Sequence, residues 1–132
     1  MNISKFTQKS VQAVQDLEKV AYEYGNQEVE QEHLLYALLT QEDSLILKLI
    51  EKMEINKDYF INTVKKALDA KVKVSGGDLR FGQYLNKSLV NAENEAKAMG
   101  DEYVSVEHLF LSLLTQPSPS MKKIFNEFGI TR

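Results

Sequence analysis

The sequence predicts an all-α fold: two pseudo-symmetric four-helix repeats packed as one domain, the second repeat lacking its last helix. Three observations predict it. Residues recur at a fixed offset of 75 positions with no gap, so that Phe6 matches Phe81, Glu18 matches Glu93, Gly25 matches Gly100 and Val29 matches Val104. The offset then pairs Glu32-His33-Leu34 with Glu107-His108-Leu109, and Leu38-Leu39-Thr40-Gln41 with Leu113-Leu114-Thr115-Gln116. Self-similarity of this kind marks a duplicated structural unit. Apolar residues follow helical spacing, with no clear strand alternation. The only prolines, Pro117 and Pro119, leave long segments free of helix breakers.

Each element of the first copy, residues 1–71, follows from local chemistry. Thr7 can cap a helix whose inner face is Val11, Val14, Leu17, Ala21 and Tyr24, and Gly25 ends it. A short loop through Val29 leads to a second helix carrying Leu34, Leu35, Leu38 and Leu39, with Glu32 complementing the dipole of its first turn. Ile46, Leu49, Ile50 and Met53 form one face of a third helix. Asn56 caps a fourth, with Phe60, Val64 and Leu68 inward.

Residues 72–82 contain Ser75-Gly76-Gly77-Asp78 and break the pattern, which makes them the linker between copies. The linker is too short to let the halves drift far. In the second copy, residues 83–132, the first helical seam is Leu85, Leu89, Ala92, Ala96 and Met99, ended by Gly100. Ser105 caps the next helix. Ser118-Pro119 opens the third, where proline's missing N–H is harmless, and its inner face is Met121, Ile124, Phe125 and Phe128. Ile130-Thr131 matches Ile55-Asn56, the lead-in to the fourth helix of copy one, and no fourth helix follows. The expectation is a chain cut from a longer protein at this point.

Composition narrows the function. A formal net charge of −3 argues against a non-specific nucleic-acid binder. The chain has no cysteine, which excludes disulfides, thiol catalysis and thiolate metal sites and fits a reducing, cytoplasmic setting. Met1-Asn2-Ile3-Ser4-Lys5 has no apolar run behind its lysine, so no leader is expected. No apolar stretch approaches the roughly 20 residues of a membrane span.

Catalytic motifs are missing. Gly76-Gly77 and Gly82 are not followed by Lys-Ser or Lys-Thr, so no phosphate-binding loop exists and the chain is not expected to hydrolyse ATP by itself. There is no Gly-x-Ser-x-Gly nucleophile elbow. Each histidine follows a glutamate, as Glu32-His33 and Glu107-His108. One reading is a metal site shared across the pseudo-twofold axis; the favoured one is local hydrogen bonding in the first turn of a helix. The carboxylates Glu28 and Glu30, and Glu93 and Glu95, are expected on solvated helix faces, as are the pairs Lys65-Lys66 and Lys122-Lys123. Phe60, Phe81, Phe125 and Phe128 have core spacing.

The sequence also resembles a known family. Phe6-Thr7-Gln8 opening a helix, Tyr24-Gly25-Asn26 closing it, and Glu32-His33-Leu34-Leu35-Tyr36-Ala37-Leu38-Leu39 resemble the Clp N-terminal repeat. The run Gly100-Asp101-Glu102-Tyr103-Val104-Ser105-Val106-Glu107-His108-Leu109 resembles its second occurrence. The resemblance covers essentially the whole chain. Ala37-Leu38-Leu39-Thr40-Gln41 and the spacer Val74-Ser75-Gly76-Gly77 are most similar to the ClpB branch.

That resemblance implies a non-catalytic N-terminal domain of a homohexameric, ATP-driven disaggregase, with ATP and magnesium bound elsewhere in the parent and no cofactor here. It implies unfolded or aggregated proteins as partners, in collaboration with the DnaK chaperone system. The alternative is an adaptor-docking domain of a ClpC or ClpA unfoldase that feeds the ClpP protease. The resemblance assigns substrate handling to Thr7, Asp101 and Glu107. Asn91 and Glu95 stand where relatives line a substrate groove with apolar residues. The local chemistry also gives these residues plain structural roles: Thr7 a cap, Asp101 a turn, Glu107 a dipole partner.

Overall fold

The computed structural model describes residues 3–74 and 76–132. Met1 and Asn2, part of the leader reading, and Ser75, part of the linker reading, lie outside the described residues. After a 3-10 turn at Ile3–Lys5, helix α1 spans Gln8–Glu23 and strand β1 takes Glu28–Val29. Helices α2 (Gln31–Leu39), α3 (Leu45–Lys52) and α4 (Lys57–Asp69) complete the first copy. Strand β2 (Arg80–Phe81) leads into α5 (Gln83–Ala98), α6 (Val106–Thr115) and α7 (Pro119–Phe128). The fold is all-α, with four helices in the first copy and three in the second among the described residues. No described helix is long and apolar enough to cross a membrane.

The caps fall where the sequence puts them. Thr7, Asn56 and Ser118 each accept a hydrogen bond from the backbone N–H three residues on, and Ser44 does the same for α3. Gly25 and Gly100 end α1 and α5 in the left-handed conformation, at φ 69° and 73°. Each lets the next residue reach back: Asn26 N–H donates to Ala21 O at 2.9 Å, and Asp101 N–H to Ala96 O at 2.8 Å. This double closure satisfies carbonyls that a helix end otherwise leaves bare.

The copies are joined by an exchange that helical periodicity does not reveal. β1 and β2 pair in parallel, with Val29 opposite Phe81, and a separate parallel bridge sets Phe6 opposite Val104. The repeat offset converts one pairing into the other. Thr7 N–H donates to Val104 O at 3.0 Å, and its counterpart Gly82 N–H donates to Val29 O at 2.8 Å. The segment leading into each copy thus lies on the other copy. The last part of the expected linker is therefore a strand, too short to show alternation.

One continuous core results, drawing on Leu17, Leu34, Leu38 and Phe60 from the first copy and Leu85, Leu89, Leu109 and Leu113 from the second. α2 packs on α5 and α1 on α6, a pair of contacts related by the offset, while α4 meets α7. There the ring of Phe128 makes edge-on contacts with Phe60 and Tyr59, centroids 4.9 and 5.4 Å apart. Two expected inward residues face solvent instead, Met53 at 44% exposure and Met99 at 51%. Both are C-cap residues, where the helix has stopped turning and the face it presented is no longer continued.

The offset also exposes a strained position. Gly129 closes α7 at φ 67°, and its counterpart at the end of α3 is Glu54, at φ 62°. A side chain in this conformation costs about 1–2 kcal/mol, of which glycine's greater unfolded-state freedom returns part. Glu54→Gly is therefore expected to stabilise the fold by about 0.5–1 kcal/mol in urea unfolding. A lower midpoint would show that the left-handed turn does not limit stability.

Candidate functional site

The two histidines occupy equivalent brackets. His33 Nδ1 accepts from the Glu30 backbone N–H at 2.9 Å, while its Nε2 faces Asn26 Oδ1 at 2.9 Å. His108 Nδ1 accepts from the Ser105 N–H at 2.8 Å, and its Nε2 faces Asp101 Oδ2 at 2.8 Å. Since Nδ1 accepts, the neutral ring carries its proton on Nε2 and donates it. Each ring thus ties the residue just past the first helix to the N-cap of the second. The local hydrogen-bonding reading is the one this geometry supports: both nitrogens of each ring are engaged.

Burial, with the Lys71 ammonium next, pushes the His33 imidazole down to about 4. Around it the carboxylates depart from expectation. Glu32 is buried, its Oε2 accepting from Ser120 Oγ at 2.6 Å and lying 3.3 Å from Lys71 Nζ. Glu30 pairs with the same Lys71 at 2.9 Å. Burial alone lowers Lys71, but Glu32 and Glu30 outweigh it and hold its ammonium above the ordinary value. The role of Glu32 is thus an ion pair that ties α2 to the segment after α4. Beside it the buried Gln31 amide bridges the copies, donating to Ser88 Oγ and Gln116 O and accepting from Ser118 N–H at 2.8 Å.

The residues singled out from sequence fall into two groups. Thr7 is brought against the 101–107 segment by its backbone bond to Val104. Its hydroxyl caps α1 and donates to Ser10 Oγ at 3.0 Å. Asp101 holds His108, and Glu107 is exposed in the first turn of α6. The other two lie on α5 and are separated by burial. Asn91 lines an open groove, whereas Glu95 is 6% exposed, accepts from Thr115 Oγ1 at 2.9 Å and pairs with Arg132. The solvated face expected for Glu95 is corrected by that pair.

The groove beside α5 has a volume of about 650 Å³. Its walls are the α5 face with Tyr84, Lys87, Val90, Asn91 and Asn94, and the α6–α7 loop with Gln116 and Pro117. Tyr84 is 43% exposed and Val90 59%. The offset places a second groove beside α1, where Lys9, Gln12, Asp16, Gln41 and Glu42 stand for Tyr84, Lys87, Asn91, Gln116 and Pro117. This one is smaller, about 370 Å³, and crossed by two hydrogen bonds: Lys9 Nζ donates to Glu42 O at 2.6 Å, and Gln41 Nε2 to Lys9 O at 2.8 Å. Among the described residues no side-chain hydrogen bond spans the α5 groove in that way. Tyr84, Val90 and Pro117 were missed from sequence, because single outward apolar residues are ordinary on helices.

The family described as the Clp repeat (R) N-terminal domain matches residues 5–128. The chain is 38% identical over its whole length to the chaperone protein ClpB of Nitratidesulfovibrio vulgaris and 39% identical to that of Clostridium tetani. It spans 16% of the length of each of these relatives. The fold matches the Hsp104 N-terminal domain from Candida albicans with a TM-score of 0.84, at 22% identity, covering 97% of this chain and 84% of that one. It also matches the ClpV N-domain in complex with a VipB peptide, with a TM-score of 0.72, at 20% identity, covering 96% of this chain and 80% of that one.

The His33 bracket sets a pH dependence. The unfolded chain takes up this proton near 6.5 and the folded chain only near 4, so stability rises with pH through that window. Between pH 7 and pH 5 the loss from this group is about 2 kcal/mol. Urea unfolding at the two values should show it, and His33→Gln should flatten the slope; an unchanged slope would place the titration elsewhere.

Proposed function

The chain belongs to the Clp repeat N-terminal domain family, and on that premise we propose that it is the substrate-engaging domain of a ClpB-like disaggregase. It holds segments of unfolded or aggregated proteins in the groove beside α5. The ATPase modules, with their ATP and magnesium, belong to other parts of a hexameric parent working in the cytoplasm with the DnaK system. This domain itself is non-catalytic.

The observation that carries the reading is the contrast between two grooves on one duplicated scaffold. The fold dictates both concavities. It does not dictate that one is bridged by Lys9 and Gln41 while the other presents Tyr84 and Val90 exposed beside a half-buried Pro117. Apolar side chains grouped in one concave site offer a binding surface that scattered ones do not. A shallow groove of this kind suits a binder that must accept many sequences weakly. Six copies on one hexamer would add avidity through effective concentration. The ClpV N-domain solved with a VipB peptide supports peptide binding as a use of this fold.

Thr7, Asp101 and Glu107 form the second part of the proposal. Thr7 adjoins the Phe6–Val104 bridge, Asp101 lies in the loop just before Val104, and Glu107 is exposed in the first turn of α6. Two of them also hold the fold, so their contribution has to be separated from their structural role.

Fluorescence anisotropy with a labelled, chemically unfolded protein tests the reading. Wild type should bind weakly but measurably. Tyr84→Ser with Val90→Ser should weaken binding about fivefold or more, since together they remove about 1 kcal/mol or more of apolar contact. Lys9→Ser with Gln15→Ser, the change at the matching positions of the first copy, should leave it unaltered. Thr7→Ala with Asp101→Ala should reduce binding with helicity retained; lost helicity would assign these residues to the fold alone. Capture of a folded adaptor with no binding to unfolded chains would overturn the disaggregase reading in favour of adaptor docking.

A further inference from the structure

The α5 groove carries a charge asymmetry that the domain as a whole does not. The chain is acidic, with a formal net charge of −3, yet among the described residues Lys87 is the one charged side chain lining the groove, and no carboxylate lines it. Among the described residues Lys87 enters no ion pair. Its counterpart in the α1 groove is the neutral Gln12, which donates to Asp16 at 2.8 Å, and that groove is lined by charges of both signs, Lys9 with Asp16 and Glu42. Around Lys87 the remaining polar lining is amide. Asn91 and Asn94 meet each other at 3.3 Å, and the Gln116 side chain lies opposite. Amides offer both donors and acceptors, which suits the N–H and C=O groups of an extended backbone.

We propose that Lys87 makes this groove selective for extended polypeptide segments that combine an apolar or aromatic side chain with a nearby carboxylate, and that it disfavours basic segments. Tyr84, Val90 and Pro117 take the apolar side chain, the amides take the backbone, and Lys87 takes the charge. The inference rests on the reading of the groove as a peptide site.

The test uses the whole chain and three labelled peptides with one aromatic–aliphatic core, flanked by Asp and Glu, by Ser, or by Lys and Arg. Anisotropy at low salt gives the affinities, and backbone amide resonances of α5 and of the α6–α7 loop locate the contact. The acidic peptide should bind about two- to fivefold more tightly than the neutral one, the range expected of one exposed ion pair, and the basic peptide more weakly still. The preference should fade with added salt. Lys87→Gln should abolish it, and Lys87→Glu should reverse it. Lys87 is exposed, so both variants should keep the wild-type circular dichroism. Groove resonances that shift with all three peptides, with the same order in Lys87→Gln, would overturn the role of Lys87 and leave the peptide site standing. Groove resonances that shift with none would overturn the peptide site itself.

Discussion

Everything in this domain is hung on two short parallel pairings, Phe6 with Val104 and Val29 with Phe81. Each joins the lead-in of one copy to the loop behind the first helix of the other. Their hydrogen bonds contribute about 1 kcal/mol apiece. Their larger effect is to place Phe6, Val29 and Val104, all buried, at the junction of both cores. Burial of each is worth about 1.5–3 kcal/mol. Because the pairing crosses between copies, neither copy can complete its own core. Parallel strands also need a long crossover, and the helices between β1 and β2 supply it.

The histidine brackets follow from that constraint. The loop that receives a foreign strand must be held rigid, and its ends are the C-terminus of one helix and the N-terminus of the next. His33 and His108 span that gap, each with one nitrogen on the cap and one on the residue after the left-handed glycine. Elsewhere the seam is asymmetric. Gln31, Ser88 and Ser112 form a buried hydrogen-bonded chain, with Ser112 Oγ donating to Ser88 O at 2.6 Å. The offset maps these three onto Val106, Ala13 and Ala37, all buried in the apolar core. The same contrast separates Glu32, covered by Lys71 and Ser120, from its exposed counterpart Glu107. Polar pairing in one half and apolar packing in the other satisfies both seams, and it gives each copy one correct partner.

Much of this was legible in the residues. The fixed offset, the caps Thr7, Asn56 and Ser118, and the terminating glycines follow from chemistry confined to a few neighbours in sequence. The strand exchange did not, although all four of its residues were visible as repeat matches. Identity between copies says that Phe6 and Phe81 do the same thing; it does not say that each does it to the other copy. The bracket partners were within reach, since Asn26 and Asp101 sit at the same seven-residue distance before His33 and His108. Glu95 was not. A carboxylate on a surface helix is buried here only because Thr115 and Arg132, distant in sequence, close over it.

Duplication explains how a binding groove can arise on this scaffold at small cost to folding. The offset positions Lys9 and Tyr84, Gln15 and Val90, and Glu42 and Pro117 differ between the copies and cap no helix. Substitution there alters the surface and leaves the exchange, the caps and the core as they were. Thr7 and Asp101 stand in the opposite situation, because one caps α1 and the other orients His108. Any binding role they hold is tied to the fold and constrained by it, whereas the α5 groove is free to change its chemistry. If the groove binds polypeptide as proposed, its selectivity can be set there without touching the caps or the core.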